Sequence, residues 1–183
     1  MRGCPPYLPY VLSALDDAVI KLLDWEKDWM CTQTIEGHSH YVMRVASDPQ
    51  DPNAFASASL NETIKVLIFL LLDAHAKGLN FVDYLSMHDM LYLLSGSNDC
   101  TTKVWDDKGR SCVQTLQGHE QNVTAGSEDE TLRIWDANGF GYALLKHILK
   151  FGHGRLWDVA YQKGSCRVTV ACDEGIAVVE LVC

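Results

Sequence analysis

Short runs of alternating apolar and polar residues recur along the chain, each bounded by turn-forming residues. TTKVW (101–105) and TLRIW (131–135) have this character, and the clusters SND (97–99) and SED (127–129) precede them. Alternation with period two sets one face of a strand against a core and the other toward water, and the clusters read as hairpin turns. The pattern predicts many short antiparallel strands. IKVLIFLLLDAH (64–75) is the exception. Its unbroken apolar run reads either as one long strand or as a short helix, and at seven residues VLIFLLL (66–72) falls far short of the ~20 needed to span a bilayer.

The alternating runs belong to a longer repeat. SALDDAVIKLLDWE starts at Ser13, SASLNETIKVL at Ser57, SGSNDCTTKVWD at Ser95 and AGSEDETLRIWD at Ala125, with a fainter TVACDEGIAVVEL from Thr169. Superimposed, they share an acid or its amide at Asp17, Asn61, Asp99, Asp129 and Asp173. A cation follows four residues later in four of them: Lys21, Lys65, Lys103 and Arg133. Six residues after the acid stands Trp105 or Trp135, replaced elsewhere by Leu23, Leu67 and Val179. Gly-His or a remnant of it closes the early units at His38, His75 and His119, and Gly152-His153 follows the fourth.

This spacing resembles the WD40 repeat, in which ~40–45 residues build one four-stranded propeller blade. The resemblance implies an all-β fold: an incomplete WD40 β-propeller of four to five blades that does not close fully. It also implies that Ser, His, acid and Trp join in one buried hydrogen-bonded set. The positions are Ser13 and Asp17 in the first unit, with His38, Ser57 and Asn61 serving the second. His75, Ser95, Asp99 and Trp105 serve the third, and His119, Asp129 and Trp135 the fourth. The whole chain, 1–183, is read as one domain with blade-like units at about 7–38, 39–75, 76–119, 120–153 and 154–183. The fourth unit is defective: Ala125 stands where a Ser or Thr belongs. Only 10 residues separate His119 from Asp129, against 24 from His75 to Asp99, so its first strand should be missing. Incomplete blades leave open sheet edges, which predicts self-association.

Composition narrows the function. A net charge of −9 over 183 residues disfavours nucleic acid as a partner. Seven scattered cysteines without a CxxC pair argue against a disulfide framework and a zinc knuckle, and fit reduced cytosolic thiols. The N-terminal MRGCPPYLPYVLSAL is interrupted by prolines and followed by Asp16-Asp17, so it makes a poor secretory signal, and the sequons at Asn61 and Asn122 then carry no meaning. No P-loop, dinucleotide loop, HExxH or GxSxG occurs. The expectation is no catalytic, cofactor-binding or metal-binding site, with the recurrent histidines in structural roles.

Longer stretches carry a narrower resemblance. PYVLSALDDAVIKLLDWEKDW, EGHSHYVM, FASASLNETIKV, GRSCVQTLQGH and GSEDETLRIW resemble the N-terminal propeller of the coatomer beta-prime family, nearest to its plant forms. The similarity runs with interruptions from about residue 7 to 180. It implies a COPI vesicle coat subunit that recognises dilysine cargo tails and assembles with other coatomer subunits. The implied location is the cytoplasm, peripheral to Golgi membranes and coated vesicles through partners alone. In this family carboxylates on the propeller face take the lysine ammonium groups. Asp16, beside the repeat acid Asp17, matches such a position, the alternative being an ordinary solvated turn residue. The family's propeller has seven blades and this chain begins inside what would be the third. Cargo binding is therefore expected to be weakened or lost. A generic WD40 interaction scaffold, or a non-functional truncated copy, is the competing reading.

Overall fold

The computed structural model describes residues 9–14, 16–66, 70–87, 90–106, 108, 111–137, 143–161 and 167–180. They form five antiparallel sheets, each built from strands consecutive in sequence. The first contains β1 (Tyr10–Ala14), β2 (Ile20–Asp24) and β3 (Met30–Ile35). The second contains β4 (Val42–Ser47), β5 (Phe55–Ser59), β6 (Thr63–Val66) and β7 (Leu70–Asp73). The third contains β8 (Leu79–Met87), β9 (Met90–Ser97), β10 (Thr102–Asp106) and β11 (Ser111–Leu116). Only two strands make the fourth, β12 (Thr131–Ala137) and β13 (Ala143–Lys150). The fifth has three: β14 (Leu156–Tyr161), β15 (Arg167–Cys172) and β16 (Gly175–Glu180). The only helical turn among the described residues is the 3₁₀ segment Trp25–Lys27, capped by Asp24, whose carboxylate accepts from the Glu26 amide at 3.0 Å. This is the all-β, incomplete propeller that the repeat predicts.

Hairpin turns before β2, β6, β10 and β12 share one device. The residue after each repeat acid takes the left-handed conformation without being glycine: Ala18 (φ 62), Glu62 (φ 72), Cys100 (φ 67) and Glu130 (φ 62). The acid or amide side chain accepts from the amide two residues on, at Val19, Thr63, Thr101 and Thr131, which holds the turn in this unfavoured region.

The sheets pack face to face through small clusters. Ala56, Ala58 and Ile64 of the second sheet meet Leu79, Val82, Leu93 and Trp105 of the third. Leu132 of the fourth packs with Leu156, Val168 and Val170 of the fifth. Full burial of Ile64, Leu93 or Leu156 contributes about 1.5–3 kcal/mol each. At the centre, Arg44 on β4 lies 4.0 Å from both Asp83 on β8 and Asp158 on β14, and over the Phe81 ring at 4.9 Å. The innermost strands of sheets two, three and five thus converge on one guanidinium.

Two expectations change. The apolar run at 64–75 is neither one strand nor a helix: β6 and β7 pair antiparallel, from Val66↔Leu70 to Thr63↔Asp73, and residues 67–69 lie outside the described residues. Hydrophobicity alone carries no turn signal there, so the pairing partner decides. The fourth unit lacks two paired strands rather than one. Its remnant, 123–127, keeps a single bridge, Val123↔Ser127. That remnant is used as a clasp: the Val123 amide donates to Ser97 O at 3.0 Å and the Leu156 amide to Ser127 O at 3.0 Å, joining sheets three and five.

Gly126 sits inside this clasp. A Cβ there would lie 2.5 Å from Leu156 Cβ and 3.0 Å from Leu156 O, and Leu156 is fully buried. Gly126→Ala should therefore cost about 1–3 kcal/mol, the range for overpacking a filled site. A urea denaturation midpoint unchanged from the parent chain would contradict this.

Candidate functional site

The third unit assembles the complete hydrogen-bonded set. β9 carries Ser95, the turn carries Asp99, β10 carries Trp105, and His75 precedes β8. Thr101 Oγ1 donates to Asp99 Oδ1 at 2.6 Å, and His75 Nδ1 lies 2.9 Å from Asp99 Oδ2. A carboxylate only accepts, so the imidazole proton sits on Nδ1 and Nε2 keeps a lone pair. Ser95 Oγ fills the gap: it donates to His75 Nε2 at 2.8 Å and accepts from Trp105 Nε1 at 2.8 Å. Ser95 is fully buried and Trp105 is 5% exposed, so this hydroxyl is the hub of a dry network.

The other units keep parts of it. His38 Nε2 meets Ser57 Oγ at 2.8 Å, while Nδ1 reaches the neutral Asn61 Oδ1 at 3.3 Å. That bond is longer than its carboxylate counterparts, as expected when the acceptor loses its charge. His119 Nδ1 lies 2.8 Å from Asp129 Oδ2, and Thr131 Oγ1 donates to Asp129 Oδ1 at 2.6 Å. Ser13 and Asp17 are not bridged by a histidine among the described residues; Asp17 is exposed and accepts only from the Val19 amide at 3.1 Å. Asp16 is an exposed turn residue with no hydrogen-bond partner among the described residues. In the fifth unit Asp173 Oδ1 instead accepts from Trp157 Nε1 at 2.6 Å, and His153 pairs with Glu174 at 2.9 Å on the surface.

Burial lowers the pKa of His38, His75 and His119 below 6.5, and the facing cations Lys65, Lys103 and Arg133 push the same way. Asn61, Asp99 and Asp129 oppose this and do not prevail. Burial alone would raise Asp99 and Asp129, but bonds from the Thr101 and Thr131 hydroxyls and from His75 and His119 outweigh it, holding both carboxyls below their ordinary 3.8. The His75 and His119 sets are thus neutral imidazole on carboxylate, and the His38 set is neutral imidazole on an amide. Among the described residues no group of three His, Cys, Asp or Glu side chains is placed to hold a metal ion, and no helix is long and apolar enough to cross a membrane.

Sequence reasoning missed three kinds of residue. The threonines Thr63, Thr101 and Thr131 complete the hydrogen bonding of Asn61, Asp99 and Asp129, and their signal was present two residues after each of these three. The recurrent cations have a role: Lys65 Nζ donates to Gly37 O at 2.6 Å, Lys103 Nζ to Ala74 O at 2.8 Å, and Arg133 to Gly118 O, each pinning the loop just before a histidine. The Trp157–Asp173 pair has no counterpart in the other units among the described residues, so repetition did not reveal it.

One concave site stands out. A cavity of about 420 Å³ opens between sheets three, four and five, lined by Tyr92, Leu94, Val104, Leu132, Trp135 and His119. It lies where the missing strands of the fourth unit would run. Among the described residues β12 is paired along one edge only, with β13, whereas β10 pairs with β9 on one side and β11 on the other.

Comparison with known proteins agrees with this architecture. The chain is 50% identical over 173 residues to "Coatomer subunit beta'-1" of Arabidopsis thaliana, covering 86% of this chain and 19% of the relative. It is 43% identical over 176 residues to "Coatomer subunit beta'" of Rattus norvegicus, covering 86% and 19%. To "Probable coatomer subunit beta'" of Schizosaccharomyces pombe it is 38% identical over 169 residues, covering 82% and 21%. The chain thus spans about a fifth of the length of these relatives. The model of the WD domain, G-beta repeat, matches residues 29–66, 69–106 and 110–136, more than half of the chain. With that repeat matched over sheets that carry its hydrogen-bonded sets, the chain belongs to the WD40 family.

Proposed function

We propose that the chain acts as a coatomer beta-prime-like scaffold of the COPI coat, in protein transport between Golgi and endoplasmic reticulum. The observation that carries this reading is 50% identity to a coatomer beta-prime subunit across 86% of the chain. Neutral, buried histidines and a chain built of stacked sheets support a binding role over a catalytic one. Its partners on this reading are other coatomer subunits, and its site of action is the cytoplasmic face of Golgi membranes. Affinity capture of the tagged chain tests this: recovery of coatomer subunits supports the coat reading, and their absence overturns it.

Dilysine tails are the proposed cargo, bound weakly. Asp16 offers an exposed carboxylate to a lysine ammonium, and an exposed ion pair of this kind is worth only about 0–1 kcal/mol. Calorimetric titration with a free-carboxylate dilysine peptide should give a Kd well above ~1 μM, further weakened by Asp16→Ala. Micromolar or tighter binding that survives Asp16→Ala would remove Asp16 from this role.

A further inference from the structure

The open edge of β12 is half of a complete binding site. Its other half is a hydroxyl that none of the described residues supplies. In the third unit Ser95 Oγ sits 2.8 Å from both His75 Nε2 and Trp105 Nε1. The fourth unit keeps the histidine, the acid and the tryptophan that surround that hydroxyl. His119 sits on Asp129 at 2.8 Å as His75 sits on Asp99 at 2.9 Å. β12 pairs with β13 in the same way that β10 pairs with β11, with a register shift before the tryptophan in each: Ile134/Trp135 and Val104/Trp105. Yet Ala125 replaces the serine, and its segment is drawn away into the clasp, where Thr124 Oγ1 donates to Leu156 O at 3.0 Å. Among the described residues, His119 bonds only through Nδ1, and nothing bonds Trp135 Nε1. Both residues line the cavity. One lone acceptor and one lone donor facing the same space match a hydroxyl, which gives one proton and accepts another.

The backbone says the same. Beside β10, the strand β9 places Gly96, Ser95, Leu94 and Leu93 opposite Thr102, Lys103, Val104 and Trp105. Beside β12, at Thr131 to Trp135, that edge has no strand partner among the described residues. The walls are apolar, and a volume of about 420 Å³ falls within the roughly 300–1,000 Å³ of ligand pockets.

We propose that this cleft binds an extended segment of another protein, which adds as an antiparallel strand to β12. Its Ser or Thr hydroxyl lies between His119 and Trp135, and the two apolar residues before it lie opposite Ile134 and Trp135, as Leu94 and Leu93 lie opposite Val104 and Trp105. This is strand addition: backbone bonds give affinity and one side-chain position gives selectivity. A second copy of this chain is the less favoured occupant, because two chains of net charge −9 repel; a neutral or basic segment meets no such penalty. The inference does not depend on the coat reading.

The test uses the full chain and two blocked peptides, each flanked by lysines: Tyr-Leu-Leu-Ser-Gly-Ser, the sequence of residues 92–97, and its Leu-Leu-Ala counterpart. Binding is followed by the indole N–H resonance of Trp135, identified with Trp135→Phe. The serine peptide should bind saturably and shift that resonance, and the alanine peptide should bind about tenfold more weakly. Trp135→Phe should lower affinity for the serine peptide and leave the alanine peptide unaffected. Equal affinity for the two peptides overturns the proposal, as does no saturation at millimolar peptide. Sedimentation showing that a second copy already fills the cleft overturns it too. The peptide comparison needs only the unaltered chain, so it decides the matter even if Trp135→Phe fails to fold.

Discussion

Ser95→Ala should destabilise the chain by about 2–4 kcal/mol, out of the 5–15 kcal/mol that holds a typical domain together. The substitution deletes one oxygen and strands two partners. Trp105 Nε1 loses its acceptor and His75 Nε2 loses its donor, each now 2.8 Å from where the hydroxyl was. The site is fully buried, so water does not readily replace it, and each orphaned group carries a desolvation cost of about 1–3 kcal/mol. The matching change in the second unit, Ser57→Ala, should cost less, about 1 kcal/mol. There the hydroxyl's main partner is His38 alone, at 2.8 Å. Urea denaturation of both variants measures the contrast. Equal losses would mean that the tryptophan bond contributes nothing to stability.

Acidification should destabilise the chain over two separate pH intervals. Unfolded, each imidazole titrates near 6.5; folded, His38, His75 and His119 titrate lower, chiefly because they are buried. The unfolded state then binds more protons below about pH 7, so stability falls as pH drops from there through the folded pKa values. Above about pH 7.5 these groups have no effect. A second loss follows below about pH 4. Asp99 and Asp129 titrate below 3.8 in the folded state, their bonds to threonine and histidine overcoming the effect of burial, so the unfolded chain again takes up protons first. Urea midpoints from pH 8 to pH 3 should therefore decline in both intervals. A flat profile between pH 7.5 and 5 would show that the imidazoles are solvated and not buried. His75→Asn should remove part of the upper decline and none of the lower contribution from Asp129.

Much of this was legible in the residues. Acid, cation, tryptophan and Gly-His recur because a hydrogen-bonded set joins them, complete in the third sheet and partial in the second and fourth, so the repeat exposes both fold and network. What repetition does not carry stayed hidden. The antiparallel pairing of β6 with β7 falls inside an apolar run with no polar punctuation. The short interval from His119 to Asp129 announced a missing strand, but not that two would be lost, nor that the remnant would bond to Ser97 and Leu156. The site at Trp135 was written in the sequence as Ala125, a defect by comparison with Ser95. Only the geometry shows that His119 still pairs with Asp129 and that Trp135 lines the same cavity. Asp16 was picked out by resemblance, and its exposure is compatible with solvated-turn and ligand roles alike.

The clasp at 123–127 also fixes an order of events as the polypeptide emerges during synthesis. Its link to Ser97 can form as soon as Val123 appears, yet Ser127 O and Thr124 Oγ1 find their partners only at Leu156, about thirty residues later. Until then sheet three keeps an uncovered flank, and Leu132 lacks the neighbours that bury it. The C-terminal three strands are thus the keystone of the molecule: loss of that segment would loosen a region far upstream in the chain, a burden that non-local contacts place on slow-closing β architectures.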